Sequence, residues 1–290
     1  MKKNIISLLI LIITIIAGVV FFAGCSKEDT LTPADFAPPT NFRALAQSNA
    51  VILYWTRSVD DGTSSFTGYR VMTFNGATKI DSFLTTNDTA RITTGMVNGT
   101  SYKFKIWSVK SNGDVSIADS INWGPTERFF SIRIWEFKSS HPSGIEFLNG
   151  TAVSFKDSLP DNRGIIDLWI DGCTHPANMA TATQLDPLLK SPSEYTSLKP
   201  SSTGWRTTLY CETSATSLDE QVDVPPAGSF TASSGLTIHS GRVYFAKTGD
   251  TPPHYVRFQV ASPGVQGSWP ERFIDLNIAY NSGTGPWAKQ

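Results

Sequence analysis

An all-β fold, a β-sandwich followed by a second β-rich domain, is what this sequence predicts. Three observations predict it. Short segments of alternating apolar and polar residues recur from Val51 onward, separated by Gly, Pro, Asn and Ser. No long segment with a 3.6-residue period competes with them. A chain of 290 residues is also long enough for two domains at about 100–200 residues each.

The elements follow in order. Met1-Lys2-Lys3 gives a positive start, and an uncharged apolar run from Ile5 ends in Ala23-Gly24-Cys25. A run of this length could just span a bilayer, but small residues ahead of the cysteine place a cleavage site there. The pattern resembles the bacterial lipobox, with Phe22 in place of the usual Leu. The resemblance implies a signal peptide over residues 1–24 and a lipid on Cys25, hence a membrane partner through that lipid. Lys27-Glu28-Asp29 resembles a surface-export signal of Gram-negative lipoproteins. The expected address is the outer membrane, lipid-anchored and facing the cell exterior. Residues 25–37 read as a flexible polar tether leading into Pro38-Pro39.

In residues 36–125, Val51, Leu53 and Trp55 alternate with Ile52 and Tyr54. Tyr69 and Val71 alternate with Arg70 and Met72, and Tyr102, Phe104 and Ile106 with Lys103 and Lys105. Period two with lysines outward marks half-buried strands. Pro38-Pro39-Thr40-Asn41-Phe42, the strand ending in Trp55, Gly68-Tyr69-Arg70-Val71 and Asn98-Gly99-Thr100-Ser101-Tyr102 together resemble a fibronectin type III domain, an immunoglobulin-like sandwich. The resemblance makes Trp55 and Tyr69 core residues. It also makes Met96 and Tyr102 the two members of a tyrosine corner, with Met standing where the family has Leu. It implies a spacer or interaction module.

For residues 129–290 the expected strands are 129–137, 151–155, 165–170, 205–211, 241–247, 255–260 and 273–280. Residues 177–189 read as a short helix or loop and 190–204 as irregular, Ser/Pro/Thr-rich chain. In the last two strands Val256, Phe258 and Val260 should pair with the row Ile274, Leu276, Ile278 and Tyr280. Ile166-Asp167-Leu168-Trp169-Ile170, Gly241 to Thr248 and Tyr255-Val256-Arg257-Phe258 resemble the HmuY-type haem-binding surface lipoproteins. That resemblance implies haem held by paired side chains, for which His141 and His175 are the conceivable pair. All four histidines, His239 and His254 included, sit in loop-like sequence beside Pro, Ser or Thr.

Charge and motifs narrow the function. With 24 basic against 25 acidic residues and no basic block, nucleic acid is not an expected partner. With Cys25 assigned to lipid, Cys173 and Cys211 remain as an even pair in an oxidising compartment. A bridge between them would contribute about 4 kcal/mol. No Gly-x-Ser-x-Gly, His-Glu-x-x-His, phosphate-binding loop or Cys-x-x-Cys occurs. On the strand at 165–170, alternation turns Ile166, Leu168 and Ile170 inward and Asp167, Trp169 and Asp171 outward. An aromatic between two acids suits a sugar ring, whose C–H face stacks while its hydroxyls are hydrogen-bonded. The expected function is therefore a non-catalytic cell-surface lipoprotein, without a cofactor, that presents a domain binding an extracellular glycan or protein. A haem or metal scavenger and a polysaccharide-acting enzyme or its accessory are the alternatives.

Overall fold

A computed structural model describes residues 36–156, 159–173, 183–220, 225–232 and 235–283. The expected signal peptide, Cys25 and all but the last two residues of the tether lie outside the described residues, as does His175. Seven strands come first: β1 (Thr40–Gln47), β2 (Ala50–Thr56), β3 (Phe66–Asn75), β4 (Thr78–Thr85), β5 (Thr89–Ile92), β6 (Tyr102–Lys110) and β7 (Asp119–Trp123). They form two antiparallel sheets, ordered β1-β2-β5 and β4-β3-β6-β7.

Alternation decides what these sheets enclose. Phe42, Val51, Leu53, Trp55, Tyr69, Val71, Phe104 and Ile106 are all buried in one cluster. Trp55 meets the rings of Phe42 and Tyr69 edge-on, at 6.4 and 5.6 Å between centroids, an arrangement favoured by the ring quadrupoles. Tyr102 donates its hydroxyl to the Gly95 carbonyl at 2.8 Å and accepts from the Val97 amide at 3.0 Å. With Met96 buried between those two residues, the tyrosine corner is formed as expected.

Eleven further strands follow. They are β8 (Glu127–Trp135), β9 (Gly144–Glu146), β10 (Thr151–Val153), β11 (Leu168–Cys173), β12 (Gln184–Lys190), β13 (Leu209–Glu212), β14 (Thr231–Ala232), β15 (Leu236–Thr237), β16 (Val243–Lys247), β17 (Tyr255–Val260) and β18 (Phe273–Tyr280). Their two sheets run β14-β13-β16-β17-β18-β8 and β10-β9-β11-β12-β15. The two rows pair as expected, with Val256 opposite Tyr280, Phe258 opposite Ile278 and Val260 opposite Leu276. Those side chains fill the space between the sheets with Ile134, Ile145, Leu168, Ile170 and Tyr244.

The six-stranded sheet is covered on its other face too. Val243, Phe245 and Ala279 belong to the same apolar cluster as Trp55 and Tyr69. The junction is also hydrogen-bonded: Thr126 donates its amide to Gln47 at 3.0 Å and Arg128 its guanidinium to Ala46 at 2.6 Å. Phe36–Gln290 therefore clusters as one compact unit, with two sandwiches sharing a wall.

Several expectations need correction. Residues 184–190 form a strand, not a helix or loop. Pro187 lowers the strand propensity of this segment, and the register beside it shifts between Asp171 and Cys173 on the partner strand, where a missing amide is tolerated. The strand expected at 165–170 begins at Leu168 and runs to Cys173. It is buried on both faces, as strands covered on both sides are, so alternation does not turn one set of residues to solvent. Asp167, Trp169 and Asp171 are accordingly not an exposed contact face; all are 1% exposed or less. Trp169 is core, lying parallel to Phe155 at 4.5 Å, edge-on to Phe137 and Tyr195, and donating Nε1–H to the Ser191 carbonyl. The irregular segment, which includes a short helix at Glu194–Leu198, supplies Tyr195 and, further on, Trp205 to this cover. Asp171 meets Lys190 at 2.5 Å and accepts the Cys173 amide and thiol.

The expected Cys173–Cys211 bridge does not form: neither cysteine is in a disulfide. Cys173 ends β11 in one sheet, whereas Cys211 lies in β13 of the other and clusters on the face turned toward the N-terminal sandwich.

One buried ion pair crosses between the sheets. Arg272 donates to Glu136 at 2.8 Å and to the carbonyls of Gly172 and Leu185, while Glu136 accepts the Gly172 amide at 2.5 Å. A Cβ at Gly172 would sit 2.2 Å from the Arg272 guanidinium, so only glycine admits the pair. Because Trp169 is core, Trp169→Ala should cost about 3–5 kcal/mol, read as a lowered urea midpoint. An unchanged midpoint would return Trp169 to the surface.

Candidate functional site

At one edge of the second sandwich a cleft of about 340 Å³ opens. Glu146 at the end of β9, Asp167 just before β11, Arg206 before β13, Asp250 and His254 in the loop between β16 and β17, and Tyr280 at the end of β18 line it. Sheet pairing brings these distant positions together. The volume lies at the small end of ligand clefts, about 300–1,000 Å³.

Arg206 organises the charges. Its guanidinium contacts one Asp250 oxygen and lies 3.2 Å from Oδ1 of Asp167. It also donates to the Ile165 carbonyl at 3.3 Å. Asp167 accepts the Phe147 amide on Oδ2 at 2.9 Å, but Oδ1 accepts no hydrogen bond despite the nearby guanidinium. Behind it, buried Tyr210 donates its hydroxyl to the Asp167 carbonyl.

The surroundings shift these groups in opposite directions. Burial pushes the Asp167 carboxyl up to about 7; Arg206 and the Phe147 amide counteract it, and Asp250 and Glu146 add to the rise. At Asp250 burial also acts upward, but hydrogen bonds from Thr248 and Arg206, with the charge of Arg206, outweigh it and hold the carboxyl below the usual range. Burial raises the Tyr280 hydroxyl to about 12, reinforced by the charges of Asp250, Asp167 and Glu146. His254 has Nδ1 3.2 and 3.3 Å from the carbonyls of Asn281 and Gly283. Carbonyls only accept, so Nδ1 carries the proton and Nε2 the lone pair when the ring is neutral.

The N-terminal sandwich braces this site. Gly99, in the loop between Met96 and Tyr102, has φ +77, and a Cβ there would lie 2.0 Å from Ser282 Oγ and 3.2 Å from the Gly283 amide nitrogen. The same short segment accepts the His254 ring and supplies Ser282 to the cleft. The Gly99 loop thus packs against the segment that carries Ser282.

Of the residues expected at a site, only Asp167 lines the cleft. Trp169 and Asp171 are buried elsewhere, and Trp55, Tyr69, Met96 and Tyr102 serve the first core. His141 lies on the surface, stacked on Trp135 at 4.2 Å and 3.6 Å from Glu271. Among the described residues, no group of three or more His, Cys, Asp or Glu is placed to hold a metal. Glu146, Arg206, Asp250, His254 and Tyr280 were not expected at a site from the sequence. The one available signal was Asp250 with His254 in a loop between two strongly patterned strands, where functional side chains concentrate.

The fibronectin type III family model matches residues 37–122. Those residues are a fibronectin type III domain. No curated protein matches the chain. Among solved structures, a Fn3-like protein from Clostridium thermocellum is 22% identical, matched over 30% of this chain and 90% of that one, with a TM-score of 0.25. A DUF4466 family protein from Parabacteroides merdae is 12% identical over 82% of this chain and 94% of that one, TM-score 0.33. The central fibronectin type III array of RIM-binding protein is 12% identical over 82% and 77%, TM-score 0.27. Among the described residues, no helix is long and apolar enough to cross a membrane.

Asp167 makes stability depend on pH in a stated direction. With its carboxyl raised from 3.8 to about 7, the folded state holds a proton that the unfolded state releases. Stability attributable to this group falls as pH rises from about 4 to about 7 and levels off above. Asp167→Asn removes that dependence, so the variant should gain on the parent by roughly 2–4 kcal/mol between pH 4.5 and pH 8. Parallel urea midpoints at the two pH values contradict the assignment.

Proposed function

We propose that this protein is a lipid-anchored surface protein that binds an extracellular glycan in the cleft around Arg206 and does not transform it. The fibronectin type III domain serves as both spacer and brace. The arrangement of Arg206 between Asp167 and Asp250 carries the reading. It fixes charged donors and acceptors in a concave site, and sugar hydroxyls are recognised by such groups because each hydroxyl both gives and takes a hydrogen bond.

Binding without chemistry is favoured by how Asp167 is held. Its side chain is 2% exposed and one oxygen is already committed to the Phe147 amide, which leaves it poorly placed to deliver a proton to a glycosidic oxygen. A small cleft on a tethered protein would bind a single site weakly and gain from many copies on one surface.

Asp250 is the test residue, since it is the more exposed partner of Arg206. In a glycan array read with the full chain in detergent, Asp250→Asn should weaken binding at least tenfold, about 1.4 kcal/mol, with the unfolding midpoint little changed. Equal binding by both proteins removes the cleft from the function. For the anchor, Cys25→Ser should leave the membrane fraction or accumulate as an unprocessed precursor; unchanged processing and membrane association contradict lipidation.

A further inference from the structure

Independently of the glycan reading, we infer that Lys190 and Asp171 condense into an intramolecular isopeptide bond that joins β12 to β11. Nζ of Lys190 lies 2.5 Å from Oδ2 of Asp171, and that carboxyl is fully buried. The two residues form a diagonal pair on adjacent antiparallel strands, since Lys190 is opposite Trp169 and Asp171 is opposite Leu188. The Lys190 amine also lies over the Trp169 ring, 5.6 Å from its centroid, so one side of its path to the carboxyl is apolar. Glu136 and Arg272 are a buried pair of similar closeness, but a guanidinium is not a nucleophile and an amine is.

The surroundings give the two oxygens of Asp171 the two roles that acyl transfer requires. Oδ1 accepts the Cys173 amide at 3.2 Å and the Cys173 thiol at 3.1 Å. These donors are placed to hold the negative charge that Oδ1 takes on when Nζ attacks Cγ. Oδ2, which faces the amine, is the oxygen that leaves. The step balances without a co-reactant. One ammonium proton passes to Oδ2, leaving a neutral amine and a neutral acid. The amine then attacks Cγ, a second Nζ proton passes to Oδ2, the Cγ–Oδ2 bond breaks and water departs. Nζ keeps one hydrogen, as a secondary amide does.

Two features of the neighbourhood favour this product. Burial raises the Glu136 carboxyl and the charge of Asp171 adds to the rise, against the Gly172 amide and Arg272. Amide formation removes that second carboxylate, together with its counter-ion, from the interior. Asp171 also begins an Asp-Gly step, where the glycine nitrogen can close an imide on the same carboxyl. Here the Gly172 N–H is committed to Glu136 at 2.5 Å. The resulting link would staple β12, in which Pro187 removes a ladder donor, to its neighbour without using either cysteine.

The experiment is peptide mapping by mass spectrometry of the full chain in detergent, aged until the pattern no longer changes. The expected product is a branched peptide joining Asp171 to Lys190, lighter by one water than its two parts. Lys190→Arg keeps a cation beside Asp171 without a nucleophilic amine, so it should yield only the two linear peptides at full mass. Linear peptides at full mass from the parent, shown folded by its unfolding transition, overturn the inference. A linear peptide lighter by one water overturns it as well, since that is the imide of Asp171 and Gly172. A branched peptide that persists in Lys190→Arg overturns the assignment to Lys190.

Discussion

Burial of the six-stranded sheet on both faces is the constraint from which the rest of this architecture follows. One face carries Tyr244, Ala246, Val256, Phe258 and Ile278 into the core of the second sandwich. The opposite face carries Val243, Phe245 and Ala279 into a cluster shared with the fibronectin type III core. At about 25 cal/mol per Å² of apolar surface removed from water, such a shared wall couples the two sandwiches far more firmly than a linker would. Arg128 completes the junction, reaching the Ala46 carbonyl on one side and Asp219 at 2.7 Å on the other.

The cleft is a consequence of that coupling. It lies where β18 runs out after Tyr280 and where the Gly99 loop of the first sandwich closes on residues 281–283. His254 is oriented by carbonyls of that same segment. A free-swinging spacer could not hold such a wall in place, whereas a rigidly packed one can. The fibronectin type III domain thus contributes to the site's shape without contributing a charged group to it.

Two buried charge systems show opposite uses of the same physics. Both carboxylate oxygens of Glu136 are hydrogen-bonded and one end of the Arg272 guanidinium reaches a carboxylate and two carbonyls, though its Nε has no acceptor, and the absence of a Cβ at Gly172 lets the pair meet. Such a pair fixes geometry, since breaking it strands a charge in low dielectric. Asp167 and Arg206 are only partly satisfied, with one carboxylate oxygen lacking a hydrogen bond beside an open cleft. Incomplete satisfaction at a concave site is where perturbed groups and function coincide.

By itself the sequence determined the elements whose pattern is local. Alternation and turn residues marked the strands around Trp55, Tyr69 and Tyr102, and the pairing of Val256, Phe258 and Val260 with the last strand, because a half-buried strand writes its burial every second residue. It could not show which strands would be covered on both sides. Trp169 turned inward because residues 190–205 fold over β11, and β12 escaped notice because Pro187 conceals a strand that only its neighbours stabilise. The cysteines stayed apart because the two sheets, not their spacing, set where each one lies. The cleft was the least legible of all. Its charges come from positions 146 to 250, and Coulomb interaction depends on distance in space, which only the pairing of the sheets decides.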